Sequence, residues 1–200
     1  DLGSLRLVTC HLGGGSSVSA VAGGVSVDSS AAFGTCTGMP MGTRSGDLDA
    51  GVVLDMETRL GMSPEEVHEL LYKKSGLLGL SGVSGDMAEL ERLEAEGHEG
   101  ARLARDYFVF CLKRFIGAYA AAMDGLDGIV FTAGIGEHDA DIRERACRGL
   151  SWMGALLDPG RNRAAKGEAV ISSSESRVAI MVIPTNEELA IAREVYALLD

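Results

Sequence analysis

Three strand patterns at the start of the chain limit the fold more than any other feature of the sequence. They lie at residues 5–11, 17–22 and 25–29. Glycine turns at 13–15 and 23–24 separate them, which is typical of a β-meander. Later, the buried strand patterns 129–132 and 178–183 each lead into a helical pattern, the first through a predicted glycine turn and the second after Pro184. A β-meander followed by β-α units predicts an α/β domain with a mixed sheet flanked by helices.

Helical spacing of apolar residues and helix-capping residues predict the other elements. The predicted helices cover residues 48–60, 64 onward, 86–97, 99–123, 139 or 140 onward, and 187–199. A capping box at 63–66 begins the second of these helices, and Asp47 is interpreted as the cap of the first. Stretches rich in glycine or polar residues, at 30–47, 75–82 and 158–167, are predicted to be loops.

Charge and composition disfavour several classes of protein. The net charge is −11 and the basic residues are not clustered, so a nucleic-acid partner is not expected. No apolar run reaches the roughly 18 to 20 residues of a membrane span, and no signal-peptide pattern opens the chain. The four cysteines lack CxxC spacing. We therefore expect a cytoplasmic protein with reduced thiols and no membrane contact.

The glycine turn at 13–15 lies between two strand patterns and next to His11. One interpretation is a tight hairpin whose left-handed backbone positions require glycine. The other is a nest of backbone N–H groups, with Ser16 and Ser17, that surrounds phosphate oxygens. His11 is then either a structural histidine or a hydrogen-bond donor to the anion that the glycines hold.

The long predicted loop contains Arg44 in the segment MGTRSGD. Its sequence neighbours are small, so nothing local packs against the stem of this side chain. The guanidinium is therefore either solvated or extended to bind an anion.

Two further segments follow buried strand patterns. TAGIGEH has glycines at 134 and 136 but Asp139 where a dinucleotide-binding motif has a third glycine, so a nucleotide is favoured over NAD. PTNEEL provides Asn186 as a helix cap. Glu187 and Glu188 follow, as acids of the first helical turn or as a carboxylate for Mg²⁺ bound to a nucleotide.

Seven segments taken in order resemble the C-terminal domain of the acetate kinase family. They are HLGGGSS, MGTRSGD, SGLLGLSG, GDM, FTAGIGE, RERACRGL and IPTNEELAIARE. The resemblance extends over nearly the whole chain. It implies a ribonuclease-H-like domain of the acetate and sugar kinase/actin superfamily, which has the actin-like ATPase fold. It also implies reversible transfer of a phosphoryl group between ATP and acetate, giving ADP and acetyl phosphate, with Mg²⁺ or Mn²⁺ as cofactor.

The resemblance also implies roles for individual residues. Arg44 and His11 are the implied catalytic residues, and Glu187 is the implied magnesium-associated glutamate. The implied nucleotide-binding residues are His11, Leu12, Gly13, Gly14, Gly15, Asp86, Met87, Ala88, Gly134, Ile135, Gly136, Glu137 and His138. Many members have asparagine at the positions of Gly14 and His138, which affects the nucleotide preference that is expected here.

The family has a preceding domain that supplies the acetate pocket. We therefore expect residues 1–200 to be the nucleotide-binding half of such an enzyme, inactive by itself, and a homodimer as in the family. The terminal helix, 187–200, is expected to pack on that preceding domain through Leu189, Ala192, Tyr196 and Leu199. The alternatives are a propionate or butyrate kinase domain, a non-catalytic module for nucleotide binding and dimerisation, and, disfavoured by the β-meander, a Rossmann-like domain.

Overall fold

The computed structural model describes residues 2–198, and its strands form one six-stranded sheet. The strands are β1 (Arg6–Leu12), β2 (Ser16–Ala22), β3 (Val25–Ser29), β4 (Gly128–Thr132), β5 (Ala169–Val170) and β6 (Ala179–Val182). Their order across the sheet is β3-β2-β1-β4-β6-β5. The predicted β-meander is confirmed, because β1, β2 and β3 pair as antiparallel neighbours.

The centre of the sheet is parallel. β4 pairs in parallel with β1 on one side and with β6 on the other, whereas the edge strand β5 is antiparallel. Parallel neighbours require long crossover connections, and the helical segment between β1 and β4 provides one. As a result, the carboxyl ends of β1 and β4 meet, with His11 opposite Thr132 in β4 and opposite Ser17 in β2. This edge of the sheet carries most of the predicted site residues.

Helices flank the sheet, as predicted. They are α1 (Ala50–Thr58), α2 (Pro64–Lys73), α3 (Gly76–Ser81), α4 (Met87–Ala95), α5 (Glu99–Ala122), α6 (Ala133–His138), α7 (Ala140–Cys147), α8 (Pro159–Ala164) and α9 (Glu187–Ala197). Short 3₁₀ turns occur at Leu2–Ser4 and Ser151–Met153. The caps at Ser63, Asp86 and Asn186 each accept the hydrogen bond from the first helical turn that the sequence predicts.

The core lies between the long helix α5 and the central strands. Phe108, Leu112 and Ile116 of α5 are fully buried, as are Val8 of β1 and Phe131 of β4. Burial of a side chain of this size stabilises the fold by about 1.5–3 kcal/mol. None of the helices within residues 2–198 has the length and apolar content that a membrane crossing requires.

Two predicted loops were wrong because they contain short helices. The segment 75–82 forms α3, whose first-turn N–H groups of Leu77 and Leu78 donate to the carbonyls of Met41 and Gly42. This start has no side-chain cap, so the sequence lacks its usual signal. The segment 158–167 contains α8. Its start carries a local signal, because Asp158 is the N-cap and Pro159 is the first helical residue, although the surrounding glycine and polar residues favour a loop.

Two further predictions about local structure were wrong. Asp47 does not cap α1, because Asp49 accepts the hydrogen bond from the Gly51 N–H. The Asp47 carboxylate instead accepts from the Gly38 N–H at 2.7 Å and so closes the loop that holds Arg44. The glycine segment after β4 is also helical rather than a turn, and it forms α6 directly ahead of α7.

The four cysteines are free thiols, as predicted. Cys10, Cys111 and Cys147 are buried. Burial raises the pKa of the Cys10 thiol well above its usual range and that of Cys147 to about 12. These thiols therefore stay protonated and unreactive at neutral pH.

Candidate active site

An open cleft of about 800 Å³ lies at the carboxyl ends of β1 and β4. We define it by the predicted residues that line it, which are His11, Gly13, Gly14, Gly15, Arg44, Gly134 and Glu187. These residues come from four separate parts of the chain. The fold therefore brings together most of the residues that the sequence predicts to handle phosphate.

The glycine loop between β1 and β2 has an unexpected backbone conformation. None of Gly13, Gly14 and Gly15 has a left-handed φ, so the hairpin does not require glycine for that reason. A Cβ atom added at Gly14 or Gly15 would meet nothing within 4 Å. The missing side chains therefore leave open space in the cleft, which lets a ligand approach the backbone closely.

The hydrogen bonds of this loop are only partly satisfied from within. The Gly13 N–H donates to the carbonyl of Gly15 at 3.1 Å, and the Ser16 hydroxyl donates to the carbonyl of Gly13 at 3.2 Å. Within residues 2–198, no acceptor is found for the N–H groups of Gly14 and Gly15. Two backbone donors beside an open cleft are suited to bind anionic oxygens.

His11 and Leu12 occupy the end of β1 beside this loop. The half-buried His11 side chain lines the open cleft. Leu12 is fully buried and packs in the core. Because strand residues alternate between the two faces of a sheet, Leu12 reaches a ligand only through its main chain.

Arg44 is fixed at the cleft wall rather than freely solvated. One guanidinium nitrogen, Nη1, donates to the carbonyl of Thr35 at 3.0 Å and contacts the Met41 sulfur at 3.5 Å. In the part of the chain that the structure describes, Nε and Nη2 have no acceptor. Arg44 therefore combines a fixed position with donors that are free for an anion.

The loop around Arg44 is held by the helices beneath it. The Ser45 N–H donates to the carbonyl of Leu71 in α2, and the Thr43 hydroxyl donates to that of Tyr72. Gly76 at the start of α3 has a left-handed φ of 60°, and a Cβ there would collide with the Met41 and Arg44 carbonyls. The guanidinium position therefore depends on the packing of α2 and α3.

Glu187 and Glu188 begin α9 and line the same open cleft as the glycine loop. Among residues 2–198, no group of three or more His, Cys, Asp or Glu side chains could hold a metal ion by itself. Mg²⁺ bound to a nucleotide needs only one or two protein carboxylates, because phosphate and water supply its other ligands. The carboxylates of Glu187 and Glu188 therefore fit Mg²⁺ that binds together with nucleotide phosphates, with either residue as its protein ligand.

A second cavity, here the helix cavity, has a volume of about 460 Å³ and lies between α3, α4 and α6. Eight predicted nucleotide-binding residues line it, which are Gly13, Gly14, Asp86, Met87, Ala88, Gly134, Ile135 and His138. Its lining shares Gly13, Gly14, Met41 and Gly134 with that of the open cleft. The two cavities therefore meet at the glycine loop.

Gly136 and Glu137, like Leu12, are predicted nucleotide-binding residues that line neither the open cleft nor the helix cavity. Gly136 is buried against the backbone of Phe131. The Glu137 carboxylate accepts a hydrogen bond from the Thr185 N–H at 3.1 Å. In this structure both residues support α6 and the exit of β6.

Arg143 supports the same region and was missed in the sequence. This side chain is 1% exposed, and its Nη1 donates to the carbonyls of Gly136 and Glu137 at 2.9 Å each. Its Nε donates to the Asn162 side chain at 2.7 Å, and burial lowers the pKa of the guanidinium. In the sequence Arg143 stands among acidic residues of a helix, a pattern typical of an exposed face.

A family model described as the acetokinase family matches residues 1–193. The chain belongs to the acetokinase family. Its fold class is accordingly that of the actin-like ATPases, as the resemblance of its sequence motifs to the family implies.

Individual members of the family are similar over the same region. The acetate kinase of Carboxydothermus hydrogenoformans is 47% identical over 193 residues, which are 96% of this chain and 48% of that protein. The crystal structure of Porphyromonas gingivalis acetate kinase covers the whole chain at 41% identity, with a TM-score of 0.96. A propionate kinase structure from Francisella tularensis covers 96% of the chain at 39% identity, with a TM-score of 0.89.

The matched region is only part of these relatives. It makes up 50% of the Porphyromonas gingivalis chain and 49% of the Francisella tularensis chain. The chain therefore spans about half the length of the curated relatives and solved structures that it matches.

Proposed function

We propose that this chain is the ATP-binding half of an acetate kinase, which transfers a phosphoryl group reversibly between ATP and acetate. The observation that carries the proposal is the junction of the open cleft and the helix cavity at Gly13, Gly14, Met41 and Gly134. A nucleotide has two connected parts that match these two connected cavities. Its phosphates are anionic, and its nucleoside is more apolar and forms hydrogen bonds. The phosphates would lie in the open cleft and the nucleoside in the helix cavity.

The groups in the open cleft match the needs of phosphoryl transfer to a carboxylate. An acetate oxygen attacks the γ-phosphorus while the bond to the ADP oxygen breaks, so two anions must approach each other. The free N–H groups of Gly14 and Gly15 and the guanidinium of Arg44 would neutralise this charge. His11 lines the same cleft and would donate a hydrogen bond to the transferring group.

Glu187 lines the same open cleft and would hold Mg²⁺ there, directly or through water. The metal, when bound, neutralises charge on the β- and γ-phosphates. Mn²⁺ fits the same oxygen ligands.

The acetate pocket is proposed to lie in a part of the enzyme outside this chain, since the chain spans about half of its relatives. The exposed apolar side chains of α9 support this arrangement. Leu189 is 43% exposed and Tyr196 is 70% exposed. We propose that this face packs on the preceding domain; Leu199, also assigned to this face, lies outside the described residues.

Propionate is the second candidate substrate, because a propionate kinase structure is 39% identical to this chain. Dimerisation through this domain remains an expectation from family membership. A cytoplasmic location is supported by the four free thiols.

The test uses calorimetry and a coupled assay. The chain should bind MgADP, and it should make acetyl phosphate only when joined to the upstream half. No heat of binding with MgADP would contradict the nucleotide site. Turnover by the 200-residue chain would contradict the two-part arrangement, and binding without turnover in the joined protein would favour the non-catalytic module. A higher kcat/KM for propionate than for acetate would favour the second candidate substrate.

A further inference from the structure

Arg105 is an arginine on α5 whose side chain is completely buried. Its Nη1 donates to the carbonyl of Met87 at 3.3 Å and to the Asp139 carboxylate at 3.1 Å, and its Nη2 donates to Asp141 at 2.7 Å. Its Nε lies 2.8 Å from a Glu94 oxygen but outside hydrogen-bond geometry. A buried guanidinium is stable only where its ion pairs and hydrogen bonds offset the free-energy cost of its desolvation.

Two of these partners are parts of the helix-cavity wall. Met87 is the first residue of α4, next to its cap Asp86. Asp139 lies between α6 and α7 and caps α7. Both residues line the helix cavity, whereas Arg105 itself does not. One guanidinium therefore ties together two wall segments that are about fifty residues apart in the sequence.

A second arginine belongs to the same network but does not contact this wall. Arg145 pairs with Glu94, Asp106 and Asp141, none of which lines the helix cavity. The two arginines thus share Glu94 and Asp141, and only Arg105 reaches Met87 and Asp139. Loss of either arginine removes one positive charge from the network. Of the two, only loss of Arg105 removes the hydrogen bonds to Met87 and Asp139 in the cavity wall.

We propose that Arg105 is a positioning residue for nucleotide binding, which sets the spacing between the α4 wall and the α6–α7 wall of the helix cavity. The proposal rests on the proposed function in assigning this cavity to the nucleoside. The physical basis is preorganisation, because walls that are already in place do not have to be ordered when the ligand binds. Without Arg105, Asp139 and Asp141 would also repel each other next to the cavity.

The experiment compares Arg105→Met, Arg105→Lys and the matched control Arg145→Met in the 200-residue chain. Calorimetry measures the Kd of two probes in the presence of Mg²⁺. ADP would occupy both cavities, whereas inorganic pyrophosphate would occupy only the open cleft. We expect Arg105→Met to weaken ADP binding about tenfold and pyrophosphate binding less than about twofold. Arg105→Lys should weaken ADP binding about threefold, since it keeps the charge but not the fork of donors. Arg145→Met should leave both constants near their wild-type values.

The outcomes separate this proposal from the assignment of the site. Failure of the wild-type chain to bind ADP would remove the proposed function. Normal ADP binding by a folded Arg105→Met variant, or equal weakening of both probes, would overturn the positioning role. If circular dichroism shows that Arg105→Met does not fold, Arg105→Lys decides, and an ADP constant equal to that of the wild type then rejects the proposal.

Discussion

The open cleft and the helix cavity are built in different ways, although they meet at one glycine loop. The open cleft takes its donors from short stretches of sequence, such as residues 11–15, whose main chain faces the space directly. The walls of the helix cavity are α3, α4 and α6, and buried side chains from other elements hold two of these walls. The glycine loop is thus encoded locally, whereas the position of Arg44 and the shape of the helix cavity depend on long-range contacts.

This difference predicts how substitutions act. In the open cleft, the Arg44 guanidinium and the N–H groups of the glycine loop face the ligand space and contribute little to the core. Substitutions there should therefore affect ligand binding or reaction rate more than stability. Around the helix cavity, Arg105 and Arg143 are buried and hydrogen-bonded, so changes there should affect stability as well.

The largest effect is expected for Arg44→Ala in the complete enzyme. Loss of a guanidinium that stabilises the transferring phosphoryl group should lower kcat by about 10³-fold or more, with little change in the affinity for ATP. Arg59→Ala is a suitable control, because Arg59 is exposed and, among residues 2–198, its side chain pairs only with the nearby Asp55. Steady-state kinetics in both directions measure the effect. A kcat within about tenfold of wild type would remove Arg44 from catalysis.

The next largest effect is on stability, for Gly38→Ala. Gly38 has a left-handed φ of 81°, and a Cβ there would collide with the Ser30 backbone. We expect a loss of about 1–3 kcal/mol in the free energy of unfolding, measured by urea denaturation. An unchanged midpoint would show that the 30–49 loop is less tightly packed than the structure indicates.

Gly15→Ala should give the opposite pattern. Gly15 has no left-handed φ and open space around it, so the substitution should change the unfolding midpoint little. The new methyl group would occupy the space that a phosphate needs beside the free N–H groups, so the Kd for MgADP should rise about tenfold. Loss of stability without loss of binding would mean that the open cleft does not hold the phosphates.

The smallest effect is expected far from both cavities, at the ion pair between Arg6 and Asp127. The hydrogen bond from Arg6 lowers the pKa of the Asp127 carboxyl. The pair therefore contributes stability above the unfolded pKa of about 3.9 and loses it as the pH falls through the lower folded pKa. Asp127→Asn should be less stable than wild type at pH 7, and the difference should shrink as the pH falls below about 3.9. A pH-independent difference would argue against this pair.

The local signals of the sequence were sufficient for most elements and for much of the open cleft. Alternating apolar residues and glycine turns predicted β1, β2 and β3, and cap residues such as Asp86 and Asn186 predicted helix starts. These predictions succeeded because the interactions join residues within a few positions of each other. The functional roles of Arg44, His11 and Glu187 remain predictions, although the structure places all three residues around one cleft.

Other features could not be predicted because their partners are distant in the sequence. The start of α3 is capped by the carbonyls of Met41 and Gly42 rather than by its own side chains. Asp47 hydrogen-bonds to Gly38 rather than to the helix that follows it. In each case, a contact made by folding replaced the local partner that the pattern suggests.

The sequence by itself determined the α/β class, the meander and the order of the motifs that identify the acetokinase family. Only the tertiary structure decided that the glycines of the 13–15 loop leave open space, and that Arg105 and Arg143 are buried supports of the helix cavity. The physical reason is that periodicity and caps are local properties of the chain. Burial of a charge and the shape of a cavity depend on residues that meet only after the chain has folded.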